Sequence, residues 1–503
     1  MLSLLSRTTF FLAIALACPF AVADVTVPNI FSSSMVLQRD QPNAVWGKAS
    51  PGEAVTVSID SQKHSTTADS DGLWRVTLEA LAVGQPRELV ISAKNEIRLK
   101  DVLVGEVWIC SGQSNMQWSV SNSTNFALEA AAANYPQIRM INFPQVGSQE
   151  PIWSHDDRQW MVCSPQTVGG FSAVGYFFGR QLYQTLGVPI GMINNAWGGS
   201  ACEAWINRET LSADDQFAPL MNRWAENEQR FQDLSAKADR DDNENKQLAG
   251  LGNQMRGNSR PGNIYNGVLK SHLGYGIRGA IWYQGESNAG RAYQYRELFP
   301  LMISSWRKEW GQGDFPFYWV QLADFMAERA EPGDSAWAEL REAQTMTMSK
   351  LPHTGQAVII DIGEGKDIHP RNKVDVGMRL ARWALANEYG LPIAFRSPQF
   401  KSMEVAGNKA VLTFDFVGRG WRPFDVRELR GFTVAGDDKK FVNAEATLTK
   451  DGRIEVWADS IEKPASVRYG WADNPICNLY SLDDLPLTPF RTDDWPGVTV
   501  NNH

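Results

Sequence analysis

A serine that could act as a nucleophile stands in a turn after an apolar run of the sequence. Ser114 follows the run Val107–Cys110 and lies within a turn that contains glycine. A serine presented in this way at the edge of a sheet can be activated by a nearby base. The G-x-S-x-G elbow is absent, because Met116 stands where the second glycine would be. Taken alone, such a segment is more often a helix cap than a nucleophile.

His369 is the candidate general base for this serine. Imidazole titrates near neutral pH, and the chain contains only six histidines. Asp367 stands two residues before it and could orient the ring and stabilise its protonated form. Asp-x-His can also bind a metal, but no second histidine clusters here to complete a ligand set. We therefore expect neither a metal nor another cofactor.

Two further segments offer hydrogen-bond donors for a developing oxyanion. Gly198 and Gly199 follow an apolar run, and paired glycines let backbone N–H groups approach a ligand closely. An ordinary tight turn explains the same pair. Gln284 follows the apolar run Gly279–Tyr283, and its side-chain amide can donate to an oxyanion. Glu286 could be a base, a hydrogen-bond acceptor or a cap, and we interpret it as structural.

The elements around these segments predict an α/β fold. Apolar runs alternate with helical patterns between about residues 103 and 395, which indicates a largely parallel sheet with helices. Functional residues gather at the carboxyl ends of such strands. Residues 25–105 carry short β runs separated by turns, which is typical of a sandwich, and residues 400–490 return to β character. The polar stretch 210–258 predicts a solvated helical excursion that could act as a lid.

Composition excludes several classes of protein. The 503 residues are 43% hydrophobic with a formal charge of −9, so a mainly disordered or fibrous chain is excluded. No broad basic surface is implied, which argues against nucleic acid and anionic membranes as partners. The 19 tryptophans could stack on sugar rings as well as fill a core.

The amino-terminal residues 1–23 predict a cleaved secretory signal. Arg7 precedes an apolar core too short to span a bilayer, and Ala21-Val22-Ala23 is an A-x-A cleavage site. Lipid attachment at Cys18 is a weaker alternative. No later run is long enough to span a membrane, so we expect a periplasmic or extracellular protein without an integral span.

Four cysteines remain after this signal, and an exported location permits disulfides between them. Their spacing does not select a pairing, and buried free thiols are equally compatible with the sequence. They are Cys110, Cys163, Cys202 and Cys477.

Together and in this order, the segments resemble the sialate O-acetylesterase family within the SGNH (GDSL-like) hydrolases. The residues that carry the resemblance are Ser111–Met116, Trp197–Ser200, Tyr265–Gly267, Trp282–Asn288, Asp367–Lys373, Arg468–Pro475 and Pro489–Asp493. The resemblance covers nearly the whole chain after residue 23. It implies a three-layer α/β/α SGNH hydrolase domain at 104–398, with β-sandwich elements at 24–103 and 399–503.

The resemblance also implies roles for the candidate residues. Ser114 would be the nucleophile and His369 its base, with the oxyanion held by N–H groups of Ser114 and of Gly198 or Gly199. Gln284 would complete the oxyanion hole. SGNH enzymes commonly place an aspartate three residues before the histidine, where this chain has Lys366. The residue behind the histidine is therefore Asp367, Glu364 or only a backbone carbonyl, and Ser287 or Asn288 could replace Gln284.

The implied reaction is metal-independent deacetylation of an O-acetylated sugar or glycan, notably sialic acid. Acetylated xylan or another polysaccharide remains an alternative substrate, and a non-catalytic carbohydrate-binding protein is a rival interpretation. A sialate carboxylate would require an arginine or a nest of backbone N–H donors. Side chains expected to contact the substrate are Gln113, Asn115, Trp197, Arg341 and Arg371.

Overall fold

The computed structural model describes residues 24–503. The predicted signal segment 1–23 and Cys18 lie outside the described residues. The strands, numbered in chain order, are β1 (Val36–Gln38), β2 (Asn43–Lys48), β3 (Ala54–Ile59), β4 (Gln62–Thr67), β5 (Leu73–Leu78), β6 (Arg87–Ser92), β7 (Glu96–Gly112), β8 (Tyr135–Asn142), β9 (Met161–Cys163), β10 (Ile190–Asn194), β11 (Gly279–Tyr283), β12 (Phe317–Val320), β13 (Thr354–Ala357), β14 (Gln399–Ala406), β15 (Lys409–Asp415), β16 (Trp421–Pro423), β17 (Phe432–Ala435), β18 (Val442–Asn443), β19 (Glu445–Leu448), β20 (Ile454–Trp457), β21 (Ser466–Tyr469), β22 (Leu479–Ser481) and β23 (Phe490–Arg491). The α-helices are α1 (Ser114–Gln117), α2 (Phe126–Ala132), α3 (Ala173–Leu186), α4 (Arg208–Ser212), α5 (Ala218–Ala236), α6 (Asp242–Met255), α7 (Asn263–Gly267), α8 (Ala292–Trp310), α9 (Ala336–Lys350) and α10 (Lys373–Asn387).

A central sheet in the order β13-β12-β11-β7-β10-β8-β9 carries the candidate site. Its strands run parallel, except that β9 pairs antiparallel with β8. Strands β10 and β11 are buried along their whole length, as expected for a sheet covered on both faces. Because the strands are parallel, the segments that follow β7, β10 and β11 all emerge at the same edge.

The long strand β7 joins the amino-terminal β region to this sheet. Its first half pairs antiparallel with β6, and β3 lies between β6 and β4. Its second half pairs with β10 and β11. The strand therefore crosses the predicted boundary at residues 103/104, and the division into separate domains stays a prediction.

The carboxyl-terminal region forms antiparallel sheets over its own apolar core. The two four-stranded sheets have the orders β14-β15-β20-β19 and β18-β17-β21-β23, and β16 pairs with β22. Leu412, Val456 and Tyr469 are among the buried residues of this core. The α/β fold class, with β elements at both ends, is thus confirmed.

The polar stretch near residues 210–258 contains the helices α5 and α6. They pack together over a small apolar cluster of Leu220, Trp224 and Met255. An aspartate–glutamate capping box formed by Asp241 and Glu244 begins α6. A lid function for this excursion stays a prediction.

The four cysteines within the described residues are free thiols, of which Cys110, Cys163 and Cys202 are buried. Burial raises the pKa of the Cys163 and Cys477 thiols to about 12. Between residues 24 and 503, no helix is long and apolar enough to cross a membrane.

Candidate active site

The turn that presents Ser114 depends on a glycine at the end of β7. Gly112 has a φ of +129°, and a Cβ there would lie 2.2 Å from the carbonyl oxygen of Tyr283 on the neighbouring strand. Only glycine therefore fits between β7 and β11 at this point. The chain turns after it, and Ser114 is the first residue of the short helix α1.

Ser114 and His369 line one open cleft of about 650 Å³. The cleft lies beyond the carboxyl ends of β7 and β10, where register pairs Cys110 with Asn194. Within residues 24–503, no hydrogen bond joins the Ser114 hydroxyl to the imidazole in this conformation. Catalytic hydrogen bonds are often long in free enzymes and tighten when substrate binds.

Local contacts hold the His369 ring. Oδ1 of Asp367 accepts the backbone N–H of His369 at 2.9 Å. This hydrogen bond forms an Asx-turn, in which an aspartate side chain accepts the N–H of the residue two positions later. The same oxygen lies 3.3 Å from Nδ1 of the ring. The Trp118 ring stacks on the imidazole at 4.7 Å between centroids and 12° between planes. Asp367 therefore contacts Nδ1 of the His369 ring and does not contact Nε2.

Burial determines the direction in which the pKa of His369 is shifted. Partial burial lowers the pKa of the imidazole below its ordinary value, and the charge of Asp367 opposes this shift. The nearby Lys373 cation lowers the pKa further. The ring is therefore neutral, and able to accept a proton, over a wider pH range than an exposed histidine.

Glu364 holds a different part of the same loop. Its carboxylate accepts the backbone N–H of Arg371 at 2.9 Å and lies 3.4 Å from the Arg371 guanidinium. The carboxylate in contact with the His369 ring is that of Asp367. Lys366 is exposed to solvent.

The glycine turn after β10 lies beside Ser114. A Cβ on Gly198 would be 3.3 Å from Cβ of Ser114. The Gly198 N–H donates to Oε1 of Gln117 at 2.7 Å, and Gly199 has a φ of +72°. The backbone N–H of Gly198 therefore lies near Ser114, and its acceptor in this conformation is Oε1 of Gln117.

Side chains of the segment after β11 donate hydrogen bonds to the glycine turn, and they do not line the cleft. Gln284 is fully buried, and its amide donates to the Ser200 carbonyl at 3.0 Å and to Oδ1 of Asn288 at 2.6 Å. The Ser287 hydroxyl donates to the Gly199 carbonyl at 3.0 Å. All three side chains that were considered for the oxyanion hole are therefore engaged with the turn or with one another.

Gln113 and Asn115 are buried on either side of Ser114. Gln113 accepts the backbone N–H groups of Gly285 and Ser287, both at 3.3 Å. Asn115 donates to the Ile368 carbonyl at 2.9 Å. These side chains connect the turn that carries Ser114 to the neighbouring loops.

The other predicted substrate contacts also lie outside the cleft lining. Arg341 is fully buried, and its guanidinium donates to backbone carbonyls, including those of Leu322 and Ala472. Arg371 has 64% of its side chain exposed and pairs with Glu364. Trp197 is half-buried against the main core.

Gln117 and Arg158 are among the cleft residues that the sequence reasoning missed. Gln117 follows Ser114 within one helical turn, and this i, i+3 relation could have indicated a shared face. Arg158 brings a positive charge to the cleft, with its Nε 3.1 Å from Oδ2 of Asp157. No local pattern distinguishes Arg158 from other arginines.

The remaining lining is mostly neutral and polar, with Phe143 as a second aromatic side chain beside Trp118. The amides that line it are Gln117, Asn122, Asn142, Gln145 and Asn194. Such a surface suits hydroxyl-rich ligands, since amides donate and accept hydrogen bonds and aromatic faces pack on sugar rings. Across residues 24–503, no group of three or more histidine, cysteine, aspartate or glutamate side chains is arranged to hold a metal ion.

Known proteins with related sequences are carbohydrate esterases. A family described as "carbohydrate esterase, sialic acid-specific acetylesterase" matches residues 104–237 and 247–386. The sialate O-acetylesterase of Mus musculus is 31% identical over 427 residues, covering 76% of this chain and 77% of the mouse protein. That of Homo sapiens is 28% identical over 522 residues, covering 94% of each.

A solved structure supports the same relationship. A carbohydrate acetylesterase from Xanthomonas citri is 40% identical and superposes with a TM-score of 0.81, covering 94% of this chain and 100% of that one. The match extends over both β regions as well as the central sheet. This chain is a carboxylic ester hydrolase and belongs to the sialic acid-specific acetylesterase family of carbohydrate esterases.

Proposed function

We propose that the protein removes O-acetyl groups from sialic acid through an acetyl-enzyme on Ser114, with His369 as the base. The observation that carries this proposal is the meeting of Ser114 and His369 in one amide-lined cleft, although the two residues lie on loops far apart in sequence. Membership of the acetylesterase family supports the bond type, and the contacts of Asp367 and Trp118 support the role of His369.

The chemistry follows from the orientation of the ring. Nε2 of His369 takes the hydroxyl proton as Oγ of Ser114 forms a bond to the acetyl carbonyl carbon. The protonated imidazole then gives this proton to the departing sugar oxygen. Water attacks the acetyl-enzyme with the same base assistance and releases acetate. Asp367 stabilises the imidazolium that forms in each half of the reaction.

The oxyanion would be held by backbone N–H groups of Ser114 and of the glycine turn. In the free enzyme the Gly198 N–H has Oε1 of Gln117 as its acceptor. We propose that the substrate oxyanion replaces this side-chain oxygen, with Gly199 as the adjoining donor. Gln284 then acts by holding the Ser200 carbonyl, so it shapes the oxyanion hole from beneath.

Arg158 favours an anionic sugar over a neutral one. It is a cleft-lining guanidinium, and a charge-assisted hydrogen bond to a carboxylate is stronger than a neutral one. Acetylated xylo-oligosaccharides are the alternative substrate, since the amides and aromatic rings can also bind a neutral sugar.

Acetate release from both substrates by Ser114→Ala tests the reaction. Loss of the nucleophile should lower kcat by at least about 1,000-fold. Ser121→Ala, an exposed serine of the same region, is the matched control. Undiminished release by Ser114→Ala would overturn the assignment of the nucleophile.

Arg158→Gln tests the substrate class. It should raise KM for O-acetylated sialic acid by about 10-fold or more, and leave KM for acetylated xylo-oligosaccharides unchanged. Arg371→Gln, which removes an arginine outside the cleft lining, should leave both constants unchanged. An equal effect of Arg158→Gln on both sugars would remove the argument for an anionic substrate.

We also propose that the protein is exported, on the sequence pattern of residues 1–23. Amino-terminal sequencing of the mature protein from the cell envelope or medium should begin at Asp24. A lipid-modified Cys18 as the first residue would contradict cleavage after Ala23.

A further inference from the structure

A lysine is buried at an electrostatically unfavourable position beneath the active site. Lys373 is the first residue of α10, and its side chain is fully buried. The amino terminus of a helix carries partial positive charge, so a cation there is opposed both by the helix and by desolvation. A lysine at this place therefore needs specific partners.

Its partners belong to the nucleophile segment and to the aromatic residues around it. Nζ donates to Oδ1 of Asn115 at 2.6 Å. It also lies 5.3 Å from the ring centroid of Tyr283 and 6.0 Å from that of Trp118. Lys373 thus contacts the residue after Ser114 and the ring that stacks on His369.

Asn115 also donates hydrogen bonds to two other segments. Its Nδ2 donates to Oε1 of Glu286 at 2.7 Å and to the carbonyl of Ile368 at 2.9 Å. Ile368 directly precedes His369. One buried amide therefore joins the nucleophile helix, the segment after β11 and the loop that carries the base.

We propose that Lys373 is a positioning residue that holds Asn115, and through it the Ser114 helix and the His369 loop, in their relative arrangement. This inference rests on the proposed roles of Ser114 and His369. An error of about 1 Å in such an arrangement can lower a rate about 100-fold.

Because charged groups surround Lys373, its removal should change the pH dependence of kcat/KM. Glu286 approaches from the segment after β11, and Glu364, Asp367 and His369 approach from the histidine loop. Burial lowers the pKa of Lys373 to about 7, against the opposing effect of these carboxylates. The cation in turn lowers the His369 pKa. Removing it should move the acidic limb of kcat/KM to higher pH.

Lys373→Met removes the charge and keeps the length of the side chain. We expect kcat for acetate release to fall about 10- to 100-fold with little change in KM, and the acidic limb to shift upward. Lys366→Met, which removes an exposed lysine of the same loop, is the control and should alter neither. A folded Lys373→Met enzyme with unchanged kcat and an unchanged acidic limb would overturn the proposal.

Lys373→Gln separates hydrogen bonding from charge and serves if the methionine variant does not fold. Glutamine can still donate to Asn115, so part of kcat should return while the acidic limb stays shifted. A glutamine variant with wild-type kcat and an unshifted limb would also overturn the proposal. Failure of the proposed nucleophile would appear separately, as full activity of Ser114→Ala.

Discussion

The loops on either side of Ser114 are held by contacts of different kinds. At the glycine turn, Gln284 and Ser287 donate to its carbonyls, and Asn288 accepts from Gln284. Asn288 also donates to Glu203, which pairs with Arg291 at 2.6 Å. We call these five residues the glycine-turn network. The carboxylate of Glu203 is paired directly with the guanidinium of Arg291.

Beneath the histidine loop, the histidine-side network consists of Lys373, Asn115 and Glu286. Within the described residues, no ion pair closer than 4.0 Å joins Lys373 to Glu286, and Asn115 lies between them. Oε2 of Glu286 is buried without a hydrogen-bond partner among residues 24–503. Burial raises the pKa of Glu286, while the Asn115 hydrogen bond and the Lys373 charge oppose the shift.

This difference in charge pairing indicates that the two networks have different roles. A directly paired and hydrogen-bonded charge adds rigidity, and removing one partner is costly to stability. Groups that are buried without direct pairing titrate closer to neutral pH and influence a neighbouring base. We therefore expect substitutions in the first network to alter mainly stability, and substitutions around His369 to alter mainly activity and its pH dependence.

The largest expected effect is on stability, from Glu203→Ala in the glycine-turn network. This change leaves Arg291 and Asn288 without their buried acceptor and should lower the free energy of unfolding by about 3 kcal/mol. Chemical denaturation measures it, with the exposed Glu226→Ala as control. A loss below about 1 kcal/mol would contradict a stabilising role for the pair.

Gln284→Leu should have the next largest effect. It leaves the Ser200 carbonyl and the Tyr295 hydroxyl without their partner and removes one of the two donors to Oδ1 of Asn288, and should cost about 2 kcal/mol of stability. A stable variant whose kcat falls about 100- to 1,000-fold would instead indicate that Gln284 donates directly to the oxyanion. Parallel denaturation and acetate-release assays distinguish these outcomes.

Trp118→Ala tests the histidine side through its aromatic contact. Loss of the ring that stacks on His369 should lower kcat/KM about 10-fold, because the imidazole gains freedom to rotate. Trp118→Phe keeps a ring and should retain most of the activity. Equal losses in both variants would indicate that the indole acts by some means other than stacking.

The smallest expected effect is a shift in pH dependence, from Asp367→Asn. Asp367 raises the His369 pKa, so its removal should lower that pKa and move the acidic limb of kcat/KM to lower pH. The shift should be less than about one pH unit, because the aspartate side chain is 48% exposed and its charge is screened. An upward shift would contradict the assigned contact. Lys373→Met should shift the limb in the opposite direction.

Several features of the fold and site could be predicted because they depend on local or periodic patterns. Buried strands alternating with helices predicted the α/β class, and parallel strands bring the segments after β7, β10 and β11 to one edge. The Asp367 contact with the His369 backbone follows from a spacing of two residues. The catalytic and binding roles assigned to these residues stay predictions.

The direction of individual side chains could not be predicted in the same way. Gln284 was expected to donate to the oxyanion, with Ser287 or Asn288 as alternatives. The described contacts of these side chains include those with the glycine turn and with one another. Arg341 and Arg158 are both arginines with no distinguishing local pattern. The first is enclosed by carbonyls from distant segments, and the second lines the cleft.

The sequence by itself determined the α/β class, the residue types available for ester chemistry and the short-range turn around His369. Those features depend on periodicity and on spacings of a few residues. Only the tertiary structure decided that Lys373 reaches Asn115, 258 residues away, and that Arg158 lines the cleft. Such contacts depend on how helices and loops pack across the sheet, and each side chain is oriented by neighbours that lie far from it in the chain.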